Sequence, residues 1–202
     1  MMIYVQQIAD LQCRLVKQWH VQPINHPNEG FLRLVSQEHG YNFLLWHEED
    51  IARSQDVGDR RVSEAKRAID RYNQQRNDWI ENIDDTITQE LIERNVTAKE
   101  HTPLNTETPG SVIDRLSILA LRIFHLEEQT QRNDVSAEHI ESVGHKLAVA
   151  LVQRDDLTLS LAQLLDDIFS GHKRHRTYRQ MKMYNDATLN PYLYQTGQRI
   201  AG

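Results

Sequence analysis

Apolar residues recur at spacings of three and four along most of the chain, and the strict alternation of a half-buried strand is nearly absent. That pattern predicts an all-α protein. A first helix is expected from about Ile3 to Trp19, followed by a turn carrying Pro23 and Pro27. A second runs from about Glu29 to Ser54, with Gly40 as a weak point. A short link through Gly58 then leads to a long third helix, about Arg60 to Ile92. Glu93 to Glu107 reads as a polar connection. The fourth helix has the clearest start, with Thr108 as N-cap and Pro109 in the first turn, where its missing N–H does no harm, and it ends near Gln131. Ser136 is placed to cap a fifth helix that continues to Ser170, with Gly171 as the residue beyond its C-cap. A basic, turn-rich tail, 171–202, closes the chain. No repeat or linker interrupts this order, so a single-domain helical bundle of about five long helices over 1–202 accounts for it.

Polar residues that intrude on the apolar stripes are the informative feature. The seam of the third helix reads Ala65, Ile69, Tyr72, Arg76, Trp79, Ile83, and that of the fifth places Arg154 between Ala150 and Leu157. A guanidinium at a core position is costly unless an anion meets it, so both arginines predict an anionic partner. The second helix offers Glu38, Asn42 and Glu49 on one stripe. The fourth is apolar almost all round and should be buried, yet it carries Asp114, Ser117 and His125 along one side. A second stripe on the third helix, Lys66, Asp70, Asn73, Asn77, Glu81, Asp84, reads as a solvated face or as one side of a polar pocket between helices two to five. Glu49 and Asp114 are the carboxylates expected to complete a layer around Arg76 and Arg154.

Charge and composition narrow the class. The 202 residues hold 23 Lys and Arg, 29 Asp and Glu, 10 His and a single Cys, for a net charge of −6. This balance does not mark a nucleic-acid binder. One cysteine, Cys13, excludes a disulfide framework within the chain and suits a reducing, cytoplasmic setting. No apolar run reaches the roughly 18–20 residues of a membrane span. The start, MMIYVQQIADLQC, has neither a charged n-region nor a continuous apolar h-region, so no secretory signal is expected. Basic charge gathers in Lys173, Arg174, Arg176, Arg179 and Lys182, a segment without acids. It reads either as a turn docked on an acidic bundle or as a contact for phosphate or acidic glycan. Tyr178 and Tyr184 are too few for a base-stacking platform.

Motif tests mostly exclude. No histidine has Glu three residues before it, so a di-iron bundle of the Glu-x-x-His kind fails. His47-Glu48-Glu49-Asp50 begins like a zincin helix, but Ile51 stands where the second His should be. His172-x-x-His175 reads as a solvated pair, and structural zinc is not expected. Phosphate-binding glycine loops and nucleophile elbows are absent. One partial match survives. All-α nucleoside-triphosphate pyrophosphohydrolases hold Mg²⁺ between a Glu-Glu-x-x-Glu helix and a Glu-x-x-Asp helix. Glu81-x-x-Asp84 resembles the second element and Glu48-Glu49 the first, with Ala52 in place of its third acid. Glu49, Glu81 and Asp84 are the Mg²⁺ candidates this gives.

Several strings stand out together: Trp46-His47-Glu48-Glu49-Asp50, Lys66-Arg67-Ala68-Ile69-Asp70, Asn73-Gln74-Gln75-Arg76-Asn77-Asp78, Glu107-Thr108-Pro109-Gly110, Asp114-Arg115-Leu116-Ser117-Ile118-Leu119, and the run from Tyr178 to Asp186. Together they resemble a bacterial family, domain-of-unknown-function family 4254. The resemblance covers about residue 30 to Tyr194 and departs from the family at Ala187, where Pro is expected. It implies a Gram-negative protein encoded near sugar-transfer genes and carries no activity. Its motif positions include Asn73, Arg76, Asn77, Asp114, Arg115 and His125, which overlap the polar intrusions found from periodicity.

These observations favour a protein that binds an anionic small ligand as an accessory factor near envelope-glycan metabolism. Arg76, Arg154 and Lys182 would supply positive charge, and Asn73 and Asn77 orientation. Two other readings stand beside it: an interaction scaffold with a structural polar core, partnered by another protein or by a second copy in a homodimer, and a Mg²⁺-dependent hydrolase or transferase acting on a phosphorylated or nucleotide-linked substrate. In the enzyme reading His125 or Asp114 is the base.

Overall fold

The computed structural model describes residues 3–183 and 186–194. Five long helices carry the fold: α1 (Val5–Trp19), α2 (Gly30–Arg53), α3 (Gly58–Glu93), α4 (Pro109–Thr130) and α5 (Ala137–Phe169). A single turn, α6 (Pro191–Tyr194), follows. Among the described residues no helix is long and apolar enough to cross a membrane.

Local chemistry sets the helix ends. Thr108 accepts a hydrogen bond from the Ser111 N–H at 3.1 Å, and the Ser111 hydroxyl accepts one from the Thr108 N–H at 3.0 Å. Together they form a reciprocal cap with Pro109 inside it. Ser136 caps α5 through the His139 N–H, and α5 runs on without a break to Phe169. Gly58 and Gly171, at φ +73° and +72°, supply the left-handed residues needed at the start of α3 and just after α5. Gly40 is not a break. It is buried in mid-α2, where an added Cβ would lie 3.1 Å from His26, so its bare backbone admits the α1–α2 connection.

Short links make hairpins of α2 with α3 and of α4 with α5, the two most extensive packing contacts. α4 joins them: it touches α1, α2, α3 and α5, and buries Val112, Ile113, Leu116, Leu119, Leu121 and Ile123. The core around it comes from Ile8, Leu11 and Leu15 of α1, Val35 of α2, Ile83 and Ile87 of α3, and Leu161 and Ile168 of α5. α5 packs on α4 and α1. A polar layer shared by helices two to five is therefore not what forms, and α5 stands apart from the α2–α3–α4 junction.

The basic segment after α5 folds back on the bundle. Leu104 and Arg174 form an isolated bridge, His175 Nε2 lies 3.0 Å from the Asp84 carbonyl, and Arg179 pairs with Glu81 at 3.0 Å and Asp85 at 2.9 Å. Tyr184 and residues 195–202 lie outside the described residues.

Candidate functional site

α2 and α4 meet through a buried polar network. Asn42 Nδ2 donates to Glu38 Oε1, to Asp114 Oδ1 at 2.9 Å and to Ser117 Oγ at 2.9 Å. An amide offers two protons, so the three acceptors share them. Ser117 Oγ in turn exchanges a hydrogen bond with His39 Nδ1 at 2.7 Å. Glu38, His39 and Ser117 are fully buried. Burial, and next the negative charge of Asp114, push the Glu38 carboxyl well above the usual carboxylate range. Burial lowers the His39 imidazole to about 3, so it stays neutral. The network is thus assembled from groups that avoid charge, with Asp114 as its anion.

Arg76 of α3 answers that anion. Its Nε lies 3.7 Å from Asp114 Oδ1 and, although buried, makes no hydrogen bond. Above this pair opens a cleft of about 420 Å³ between α2, α3 and α4, walled by Trp46, Glu49, Asp50, Asn73, Arg76 and Leu121. Glu49 sits at its rim and pairs with Arg53 at 2.6 Å.

The sequence-derived residues divide accordingly. Asn42, Asn73, Arg76, Asp114 and Glu49 come together, with Asn77 buried close by on α3. Arg154 does not join Arg76: α5 carries it elsewhere, and it pairs with its neighbour Asp155 at 2.9 Å. Glu49 does not complete the buried layer. Glu38, three turns earlier on the same stripe, does so, because α4 crosses α2 there. Arg115 is exposed and pairs with Glu107 at 2.7 Å. Lys182 lies in the folded-back segment, where its N–H donates to the Gln180 carbonyl.

The carboxylates considered for Mg²⁺ are not gathered. Glu81 accepts from Arg179 and from the Gln180 N–H, Asp84 accepts from the Gly110 N–H at 2.7 Å and anchors the start of α4, and Glu49 faces Arg53. The Asn73–Asp84 stripe is no uniformly solvated face either, because Asn77 and Asp84 are buried.

His125 does not line the cleft. Its ring stacks on Trp46, with centroids 5.0 Å apart and planes inclined by 12°, and it neighbours His20, at the end of α1, and His47 of α2. No spacing motif links these three histidines, and reading stripes one helix at a time does not bring them together.

A family model described as a protein of unknown function (DUF4254) matches residues 32–177. The matched segment takes in α2 to α5 and leaves out α1, His20 and the run from Tyr178 to Asp186. No curated protein and no solved structure matches the chain.

Proposed function

Since the chain belongs to DUF4254, a family of unknown function, its own geometry must carry the reading, and we propose that it binds a small polyhydroxylated anion, such as a sugar phosphate or nucleotide sugar, in the α2–α3–α4 cleft. The observation that carries this is Arg76. Its guanidinium lines the cleft, its side chain is 25% exposed, and its ion pair with Asp114 is longer than a hydrogen bond. A phosphate oxygen is the acceptor such a group accommodates best. Asn73 adds an amide, Glu49 and Asp50 offer acceptors for hydroxyl groups, and Trp46 offers an aromatic face for a sugar ring. The volume suits a ligand of that size. The implied neighbourhood of sugar-transfer genes points to the same class and to an accessory role. A cytoplasmic setting goes with it, supported by the unpaired Cys13.

Thermal denaturation tests the reading. A hexose phosphate or nucleotide sugar at about 100 times its Kd should raise Tm by roughly 5–10 °C, and Arg76→Gln should remove the rise while remaining folded. Inorganic phosphate should act more weakly. If no such ligand moves Tm, or Arg76→Gln keeps the full rise, the cleft is not the site. The buried network then serves as the internal staple of a scaffold.

A further inference from the structure

His20, His47 and His125 come from three different elements, yet one ring nitrogen of each lies within 4.8 Å of the other two. The rings stand nearly perpendicular to one another, at 71°, 75° and 83°, with centroids 5.2, 5.2 and 6.0 Å apart. An imidazole bound at about 2.0 Å has its centroid about 3.2 Å from the metal, so tetrahedral directions set centroids roughly 5.2 Å apart. Two of the three separations already have that value.

The hydrogen bonds select the free nitrogens. His20 Nδ1 lies 2.7 Å from the Val16 carbonyl, which can only accept, so this nitrogen carries the proton. His125 Nδ1 lies 2.7 Å from the Glu128 carboxylate and donates to it. In both rings Nε2 is left with its lone pair, and both Nε2 atoms are buried without a hydrogen-bond partner. A backbone carbonyl and a carboxylate are the usual partners of metal-bound imidazoles, which they orient and make more basic. Phe43 and Phe124 pack on the His20 ring and limit access of water. A merely stacked aromatic cluster would not need two buried, unpaired imidazole nitrogens beside a third histidine.

We infer that His20, His47 and His125 form a binding site for one divalent transition-metal ion of the Zn²⁺ class, with three protein ligands and a fourth position open. Three imidazoles without a thiolate suit Zn²⁺, Co²⁺, Ni²⁺ or Cu²⁺ rather than Mg²⁺ or Ca²⁺. The site is separate from the sugar-phosphate reading of the cleft, although Trp46 borders both.

Titration of the chelator-treated full chain with Co²⁺ tests it. One equivalent should produce the visible absorption of four-coordinate Co²⁺, and Zn²⁺ should erase it. His47→Gln and His125→Gln should each abolish the band with helical circular dichroism retained. Glu128→Gln should weaken Zn²⁺ binding about 10–100-fold. The double variant His172→Gln/His175→Gln should bind as the parent does. The site is overturned by the absence of a saturable band, by a band that survives His47→Gln, or by one lost only with His172 and His175. Should His125→Gln unfold, His47→Gln alone decides.

Discussion

At the scale of the residue, Glu38 and His39 are neighbours in sequence with opposite preferences for pH. His39 has its folded pKa lowered from 6.5 to about 3, so the unfolded chain binds the extra proton. Stability from this group is full above 6.5 and declines as pH falls, by up to about 1.4 kcal/mol per unit until pH 3. His26 and His47, lowered chiefly by burial, act in the same sense as pH falls below 6.5. Glu38 has its folded pKa raised above 4.5, so the native state binds the extra proton, and stability is full below 4.5 and declines as pH rises. Asp84, raised from 3.8 by burial, adds to that alkaline decline. Urea midpoints measured against pH should therefore change least where the two opposing slopes overlap, above 4.5 and below 6.5, and fall toward acid below 4.5. Glu38→Gln should remove that opposing slope and so steepen the fall as pH drops from 6.5 to 4.5. A variant with the parent's slope over that range would show that Glu38 does not hold its proton.

At the scale of the element, α4 begins unusually close to α3. A Cβ on Gly110 would lie 2.7 Å from the Ile80 carbonyl oxygen and 2.9 Å from the Asp84 carboxyl group, which itself accepts from the Gly110 N–H. Neither neighbour is a free side-chain end. Gly110→Ala should lower stability by about 1–3 kcal/mol, read as a lower urea midpoint at unchanged slope. The helix ends were legible in the sequence because caps are local: Thr108 with Pro109, Ser136 and Gly171 act on residues beside them. The buried face of α4 and the polar intrusions Asp114, Ser117 and Arg76 were legible too, since periodicity reports which residues share a side. Where one helix crosses another is not written in any single helix. Glu38 and Glu49 lie on one stripe of α2, and only the crossing point of α4 makes the first a buried acid and the second a rim group. For the same reason Arg154 reads like Arg76 in its own helix and ends up elsewhere. The three histidines were harder still, because spacing tests detect ligands contributed by one segment, and His20 lies just past the end of α1.

At the scale of the whole molecule, α1 belongs to the core although it lies outside the family-matched segment. Ile8, Leu11, Leu15 and Val16 are almost completely buried, and Gln12 Nε2 donates to the Ile113 carbonyl at 3.1 Å. Removing residues 1–20 would bare the α1-facing side of α4. Such a chain should lose cooperative thermal unfolding, and a sharp calorimetric transition near the parent Tm would show that α2 to α5 suffice. The dependence runs the other way as well. Trp19 and Pro109 are about 90 residues apart, and at about 5–20 residues per second a ribosome takes roughly 5–20 s to add α4 after finishing α1. For that interval the growing chain bears an amphipathic segment whose main cover has not been made. Keeping the Ile8–Leu11–Leu15 face from aggregating then falls to whatever binds chains still under synthesis.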